Sequence, residues 1–174
     1  MAILTFEKAY AAARSVTSHA RSAKMILEAG VESFSERIGY DIFLSHSIRD
    51  ADAVIGVKAL FERKRLKVYV DWIDDRQLDR SMVNKSTAIK IRERMTTCKN
   101  LIYLCSENST NSKWTPWELG FMDGKTSKAF ILPISRVEAN TFSGIEYLSI
   151  YPYIEFIGDE IYINDGGRKT LFVG

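Results

Sequence analysis

The sequence holds little from which a metal or redox centre is built. It has two cysteines, Cys98 and Cys105, and two histidines, His19 and His46. The cysteines form no CxxC pair and have no neighbouring histidine, so reduced thiols and no metal site are expected. A formal net charge of +2 supplies no basic field to steer the chain onto nucleic acid. No apolar run approaches the ~18 residues of a membrane span, and no basic-then-apolar leader opens the chain. The expectation is a cytoplasmic protein that contacts neither membrane nor nucleic acid. GxGxxG, GxxxxGK[ST], HExxH, GxSxG and the kinase signatures are all missing. A Rossmann oxidoreductase and a P-loop NTPase are therefore disfavoured.

What is present is an ordinary globular composition, 46% hydrophobic and 26% charged over 174 residues. That length suits one domain with an appendage and buries a single core. Residues 2–36 are Ala-rich and proline-free, with apolar positions at Leu4, Phe6 and Tyr10 and later at Met25, Ile26, Ala29 and Phe34. They read as one or two amphipathic helices that dock on the remainder of the chain. We set this N-terminal helical extension at residues 1–38 and the main domain at 39–174.

From Tyr40 the pattern changes. "YDIFLS", "LKVYV", "NLIYLC" and "AFILPI" are short apolar runs read as strands, and "YIEFI" and "IYIN" resemble them. Helical stretches lie between them: one after Asp50 with Val54, Val57, Leu60 and Phe61, another with Ile89, Ile91 and Met95, a third from Trp114. Asp50 is read as the cap of the first of these. Such alternation argues for parallel βαβ units in an α/β domain covered on both faces. Residues 137–152 suit either a short helix or a packed loop.

Ligands of open α/β sheets bind beyond the carboxyl ends of the strands. Three segments qualify: the loop after the first strand, the loop from Asp71 to Arg80, and the segment that opens the helix at Trp114. Asp71, Asp74, Asp75 and Asp79 lack EF-hand spacing and are interleaved with Arg76 and Arg80, so a solvated loop is the reading there. His46 either reaches a ligand or bonds backbone.

The stretch "SKWTPWELGFMDG" carries the sharpest question. At about 100° per residue, Trp114, Trp117, Glu118 and Phe121 share one helical face, which sets an acid on an apolar stripe. Thr115, Pro116 and Glu118 fit a capping box, in which Glu118 bonds backbone and does no chemistry. Ser112 is an equally good N-cap, and starting there frees Glu118. The flanking tryptophans would then desolvate the carboxyl and raise its pKa, a device common at active sites.

In their order, "YDIFLSHS", "LKVYVDWID", "NLIYLCSENS" and "SKWTPWELG" resemble the TIR (Toll/interleukin-1 receptor) domain, particularly its small bacterial members, over residues 39–157. The strongest element is Ser112, Trp114, Glu118 and Leu119. The resemblance implies a flavodoxin-like three-layer fold with a central, mainly parallel five-stranded sheet. It aligns Glu118 with the catalytic glutamate of TIR domains that cleave NAD⁺. It also implies a dinucleotide pocket lined by Ser45, His46, Ser47, Arg49, Trp72, Asp74 and Ser106, with Trp114 beside the acid. NAD⁺ is then the substrate, to be split into ADP-ribose or a cyclic isomer, and no bound cofactor or metal is required. Arg49 would pair with the pyrophosphate.

The family further implies homo-oligomers through TIR–TIR contacts, bacterial anti-phage defence signalling, and a downstream effector that senses a nucleotide product. The second-strand loop lacks the Pro-Gly pair of many signalling TIR domains, and Pro116 and Trp117 are not general family features. Two other readings remain at this level: a non-catalytic TIR module acting by self-association, and a nucleoside deoxyribosyltransferase-like enzyme that also uses a carboxylate.

Overall fold

The computed structural model describes residues 3–17, 39–74, 84–109, 112–139, 142 and 146–174. Strand β1 (Leu4–Thr5) runs directly into helix α1 (Phe6–Thr17). The α/β alternation continues as β2 (Tyr40–Ser45), α2 (Ala51–Glu62), β3 (Val68–Tyr69), α3 (Asp71–Asp74), α4 (Lys85–Thr96) and β4 (Cys98–Cys105). Helix α5 (Thr115–Thr126) and strands β5 (Ala129–Ser135), β6 (Tyr153–Ile157), β7 (Glu160–Asp165) and β8 (Arg168–Leu171) complete the described elements.

The sheet order is β3-β2-β4-β5-β6-β7-β8, with β1 added on β5. Strands β3 to β6 in that order pair in parallel. These five are the expected flavodoxin-like core, in the doubly-wound order second-first-third-fourth-fifth. The sheet then extends past the five expected strands through two antiparallel pairings, β6 with β7 and β7 with β8. Gly166 and Gly167 both take positive φ in the turn between β7 and β8, a backbone region that glycine enters without steric cost.

Alternation along each strand divides the core in two. Ile42 and Leu44 of β2, Ile102 and Leu104 of β4, and Leu132 of β5 face α1 and α2. Phe43, Leu101, Tyr103 and Ile131 face Ile91 and Met95 of α4 and Leu119 and Met122 of α5. A period of two along strands between two helical layers is what makes their sequences read as continuous apolar runs.

The N-terminal segment enters this core. Leu4 pairs with Ile134 and Thr5 with Ser135 at the carboxyl end of β5, so Leu4 belongs to a strand and not to the helix expected there. Helix α1 buries Phe6, Ala9 and Ala13 in the same cluster as α2. The close approach requires Gly56, because a Cβ there would lie 1.8 Å from the carbonyl oxygen of Ala9. Tyr10, expected on the apolar face, is exposed. The helical reading of residues 18–38 lies outside the described residues.

Candidate active site

Parallel strands β2, β3 and β4 end on one edge of the sheet, and the segments leaving them carry the candidate residues. Ser45, the last residue of β2, is fully buried and pairs in register with Tyr103 of β4. Its side chain follows Phe43 toward the α5 side of the sheet, as the two-residue period requires.

Glu118 meets it there. Helix α5 begins at Thr115, after Trp114, which makes no side-chain capping bond; just upstream, the Ser112 hydroxyl accepts the Thr115 N–H at 3.3 Å. Thr115 does not form a capping box, since its buried Oγ1 has no hydrogen-bond partner among the described residues. Glu118 is thereby released from the helix end. Its carboxylate is fully buried and accepts the Ser45 hydroxyl at 2.5 Å on Oε2.

The single aromatic stripe expected around Glu118 is two faces. Thr115, Glu118, Leu119 and Met122 are buried against the sheet. Trp114, Trp117 and Phe121 form a separate ridge, with Trp117 edge-on to Trp114 at 5.8 Å and stacked on Phe121 at 6.1 Å. Trp117 is exposed, Trp114 half-buried. On the helical wheel Glu118 lies at the border of the two faces, because residues i and i+4 are about 40° apart. Protein core, not the tryptophans alone, desolvates the acid.

His46 is likewise buried. Its Nδ1 lies 2.8 Å from the Leu44 carbonyl oxygen, and its Nε2 lies 2.6 Å from Nε1 of Trp72. An indole nitrogen only donates, so Nε2 accepts and Nδ1 carries the proton. His46 and Trp72 therefore tie β2 to the start of α3, with Asp71 at 3.7 Å from the same Nε2. Asp71 and Asp74 are buried, which corrects the expectation of a solvated loop for these two. Asp75 to Arg80 lie outside the described residues.

Asp74 accepts the Val70 N–H at 2.7 Å and faces Lys58 of α2 at 3.6 Å. Burial pushes its pKa up, partly offset by the Lys58 ammonium. Its side chain is thus engaged with the α2 layer. Ser47 accepts the Arg49 N–H at 3.3 Å and opens a 3₁₀ turn, Ile48–Asp50, on which Arg49 is exposed. Among the described residues no group of three or more His, Cys, Asp or Glu side chains is placed to hold a metal ion.

Asp50 was legible only as a helix cap, and the structure assigns it other partners. It makes no side-chain capping bond to α2. Instead Ser106 Oγ donates to Oδ2 at 2.5 Å and Asn108 Nδ2 to Oδ1 at 2.6 Å. Ser106, expected to face the pocket, uses its proton on Asp50 and its lone pairs on the N–H groups of Asn108 and Ser109, both at 3.1 Å. The signal available in sequence was the polar run "SENS" directly after an apolar strand. Residues 45–50 thus carry three ties: Ser45 to α5, His46 to α3, and Asp50 to the turn after β4.

Comparison with known proteins agrees with this architecture. The family model described as TIR domain matches residues 42–166. The chain is 48% identical over 138 residues to "Probable 3' cyclic ADP-D-ribose synthase ThsB'" of Bacillus cereus (strain MSX-D12), covering 79% of this chain and 72% of that protein. It is 30% identical over 83 residues to "Putative cyclic ADP-D-ribose synthase TIR2" of Cytobacillus dafuensis, covering 47% of this chain and 22% of that protein.

Proposed function

Because the chain belongs to the TIR domain family, we propose that it cleaves the nicotinamide–ribose bond of NAD⁺ and releases a cyclic ADP-ribose-type product. The observation that carries this reading is the buried Glu118 carboxylate, held by Ser45 at 2.5 Å on the carboxyl edge of the parallel strands. The names of both relatives support a cyclic product over simple hydrolysis.

The bond from the ribose anomeric carbon to the nicotinamide nitrogen breaks, and its electron pair leaves with neutral nicotinamide. The ribose becomes oxocarbenium-like. A fixed carboxylate in a water-poor site stabilises that developing charge far more than the same group would in bulk water. Ser45 sets the orientation of Glu118, so little reorganisation is needed as charge develops. Capture of the cation by an adenine nitrogen or a ribose hydroxyl of the same molecule closes the ring, and capture by water gives ADP-ribose; an attacking hydroxyl or water gives up its proton to solvent.

In this reading NAD⁺ is substrate, and no resident cofactor or metal takes part. Arg49 is exposed at the same edge, suited to the pyrophosphate, and the half-buried Trp114 offers an aromatic face to a base. Self-association through TIR contacts and a downstream effector that binds the product complete the proposal, with a role in bacterial defence.

Incubation with NAD⁺ over a range of protein concentrations, with chromatographic separation of products, tests it. A cyclic isomer with stoichiometric nicotinamide is expected. Persistence of NAD⁺ at every concentration sinks the enzymatic reading and favours the non-catalytic module. Base exchange on deoxynucleosides without NAD⁺ cleavage would favour the deoxyribosyltransferase reading.

A further inference from the structure

We infer that Asp50 is a positioning residue for substrate binding, which holds the Ser47–Arg49 turn at the carboxyl end of β2, just beyond the Ser45–Glu118 pair, by clamping it to the turn after β4. The inference rests on the NAD⁺ reading above.

Three observations carry it. Asp50 is only 4% exposed yet does not cap the helix it precedes, so helix formation does not account for a buried acidic residue at this position. Burying a carboxylate is costly unless donors replace its water. Two donors do, Ser106 Oγ at 2.5 Å and Asn108 Nδ2 at 2.6 Å, both from the turn following β4.

That turn is closed upon itself. Ser106 Oγ accepts two backbone N–H groups, and Ser109 Oγ accepts the Ser106 N–H and the Tyr103 hydroxyl, each at 2.9 Å. It is therefore a firm anchor and not a mobile neighbour. Burial pushes the Tyr103 pKa up to about 12, so at neutral pH its hydroxyl keeps the proton it donates to Ser109.

The clamped element is short. Ser45 and His46 are fixed by Glu118 and Trp72, and the chain then leaves the core through Ser47, Ile48 and Arg49, which are half-buried or exposed. Asp50 fixes its far end before α2 begins. With both ends tied, the exposed Arg49 starts from a defined backbone position. Binding a ligand phosphate then need not order that backbone first, a gain that appears in affinity and not in the chemical step.

The experiment exchanges the polarity of the clamp in the full chain. Asp50→Asn leaves one acceptor oxygen where two donors converge, Ser106 Oγ–H and Asn108 Nδ2–H₂, so the new N–H₂ meets one of them donor to donor. The double variant Asp50→Asn with Asn108→Asp restores one donor and one acceptor across the same gap. Steady-state NAD⁺ turnover is measured with amide hydrogen exchange at Asn108 and Ser109.

Asp50→Asn is expected to raise KM roughly tenfold with kcat within about threefold, since one charge-assisted hydrogen bond is at stake. Exchange at Asn108 and Ser109 should accelerate, and the double variant should recover both values to within about threefold. A fall in kcat at constant KM overturns the proposal, as does a double variant no better than Asp50→Asn. Faster exchange with unchanged KM overturns positioning while leaving the enzymatic reading intact. A wild type that leaves NAD⁺ untouched overturns the enzymatic reading and this role with it.

Discussion

The hydroxyl of Ser45 donates to Oε2 of Glu118 across 2.5 Å, joining the last residue of β2 to the first turn of α5. The two residues stand 73 positions apart in the chain. Glu118→Ala should lower NAD⁺ turnover by on the order of 10²- to 10³-fold, because transition-state charge stabilisation is lost. Ser45→Ala keeps the carboxylate and removes a donor to it, so a fall of roughly tenfold to a hundredfold is expected. Nicotinamide release measured at matched protein concentrations checks both. A Ser45→Ala enzyme as active as wild type would mean that the hydroxyl does not orient the acid.

Asp41 gives a pH-dependent contribution to stability. Partial burial opposes its ionisation, but the Lys67 N–H at 2.8 Å and the Lys99 ammonium at 2.7 Å outweigh it and lower the pKa below the usual carboxylate value. A depressed folded pKa stabilises above the unfolded value and is lost as pH falls through the folded one. Asp41→Asn should therefore unfold more easily than wild type at neutral pH, by about 1 kcal/mol. The gap should close as pH drops below about 4. Urea titrations at several pH values measure it.

Gly56 tests the docking of α1. Any Cβ at this position meets Ala9 backbone, 1.8 Å from its carbonyl oxygen and 2.6 Å from its carbonyl carbon. Backbone cannot rotate aside as a flexible side chain does, so the helices must separate. Gly56→Ala should cost about 1–3 kcal/mol, despite alanine's better helix propensity. Denaturant unfolding reads the loss, and faster limited proteolysis near residue 17 reads the displaced helix.

The two thiols should be poor nucleophiles in the native state. Burial pushes Cys98 up to about 12, only partly offset by a hydrogen bond from Thr97. Cys105 moves in the same direction, again through burial. A raised pKa means less thiolate at neutral pH, and thiolate is the reacting species. Maleimide at about pH 7 should label unfolded chain at both cysteines and native chain slowly, with Cys98 the slower. Mass spectrometry of tryptic peptides resolves the two.

No described helix is long and apolar enough to cross a membrane. Other expectations fared unevenly for reasons of range. The strands from Tyr40 onward were legible because burial on both faces leaves continuous apolar runs. β1 and β8 were not, being short, with Leu4–Thr5 running straight into a helix and Arg168–Leu171 polar at a sheet edge. Asp71 and Asp74 looked solvated because they stand beside Asp75, Arg76 and Arg80, whereas α3 turns the first two inward.

By itself the sequence determined the α/β alternation, the placing of Ser45, His46, Ser106 and Glu118 at element ends, and the choice of Ser112 or Thr115 as the start of α5. These depend on periodicity and capping, which act over a few residues. Only the tertiary structure decided that the helix begins at Thr115 without a capping box, that Glu118 faces Ser45, and that Asp50 serves Ser106 and Asn108 instead of a helix end. The last two are hydrogen bonds between buried or half-buried groups 56 to 73 residues apart. Their geometry depends on strand register and on which face each layer covers, and no local spacing encodes either.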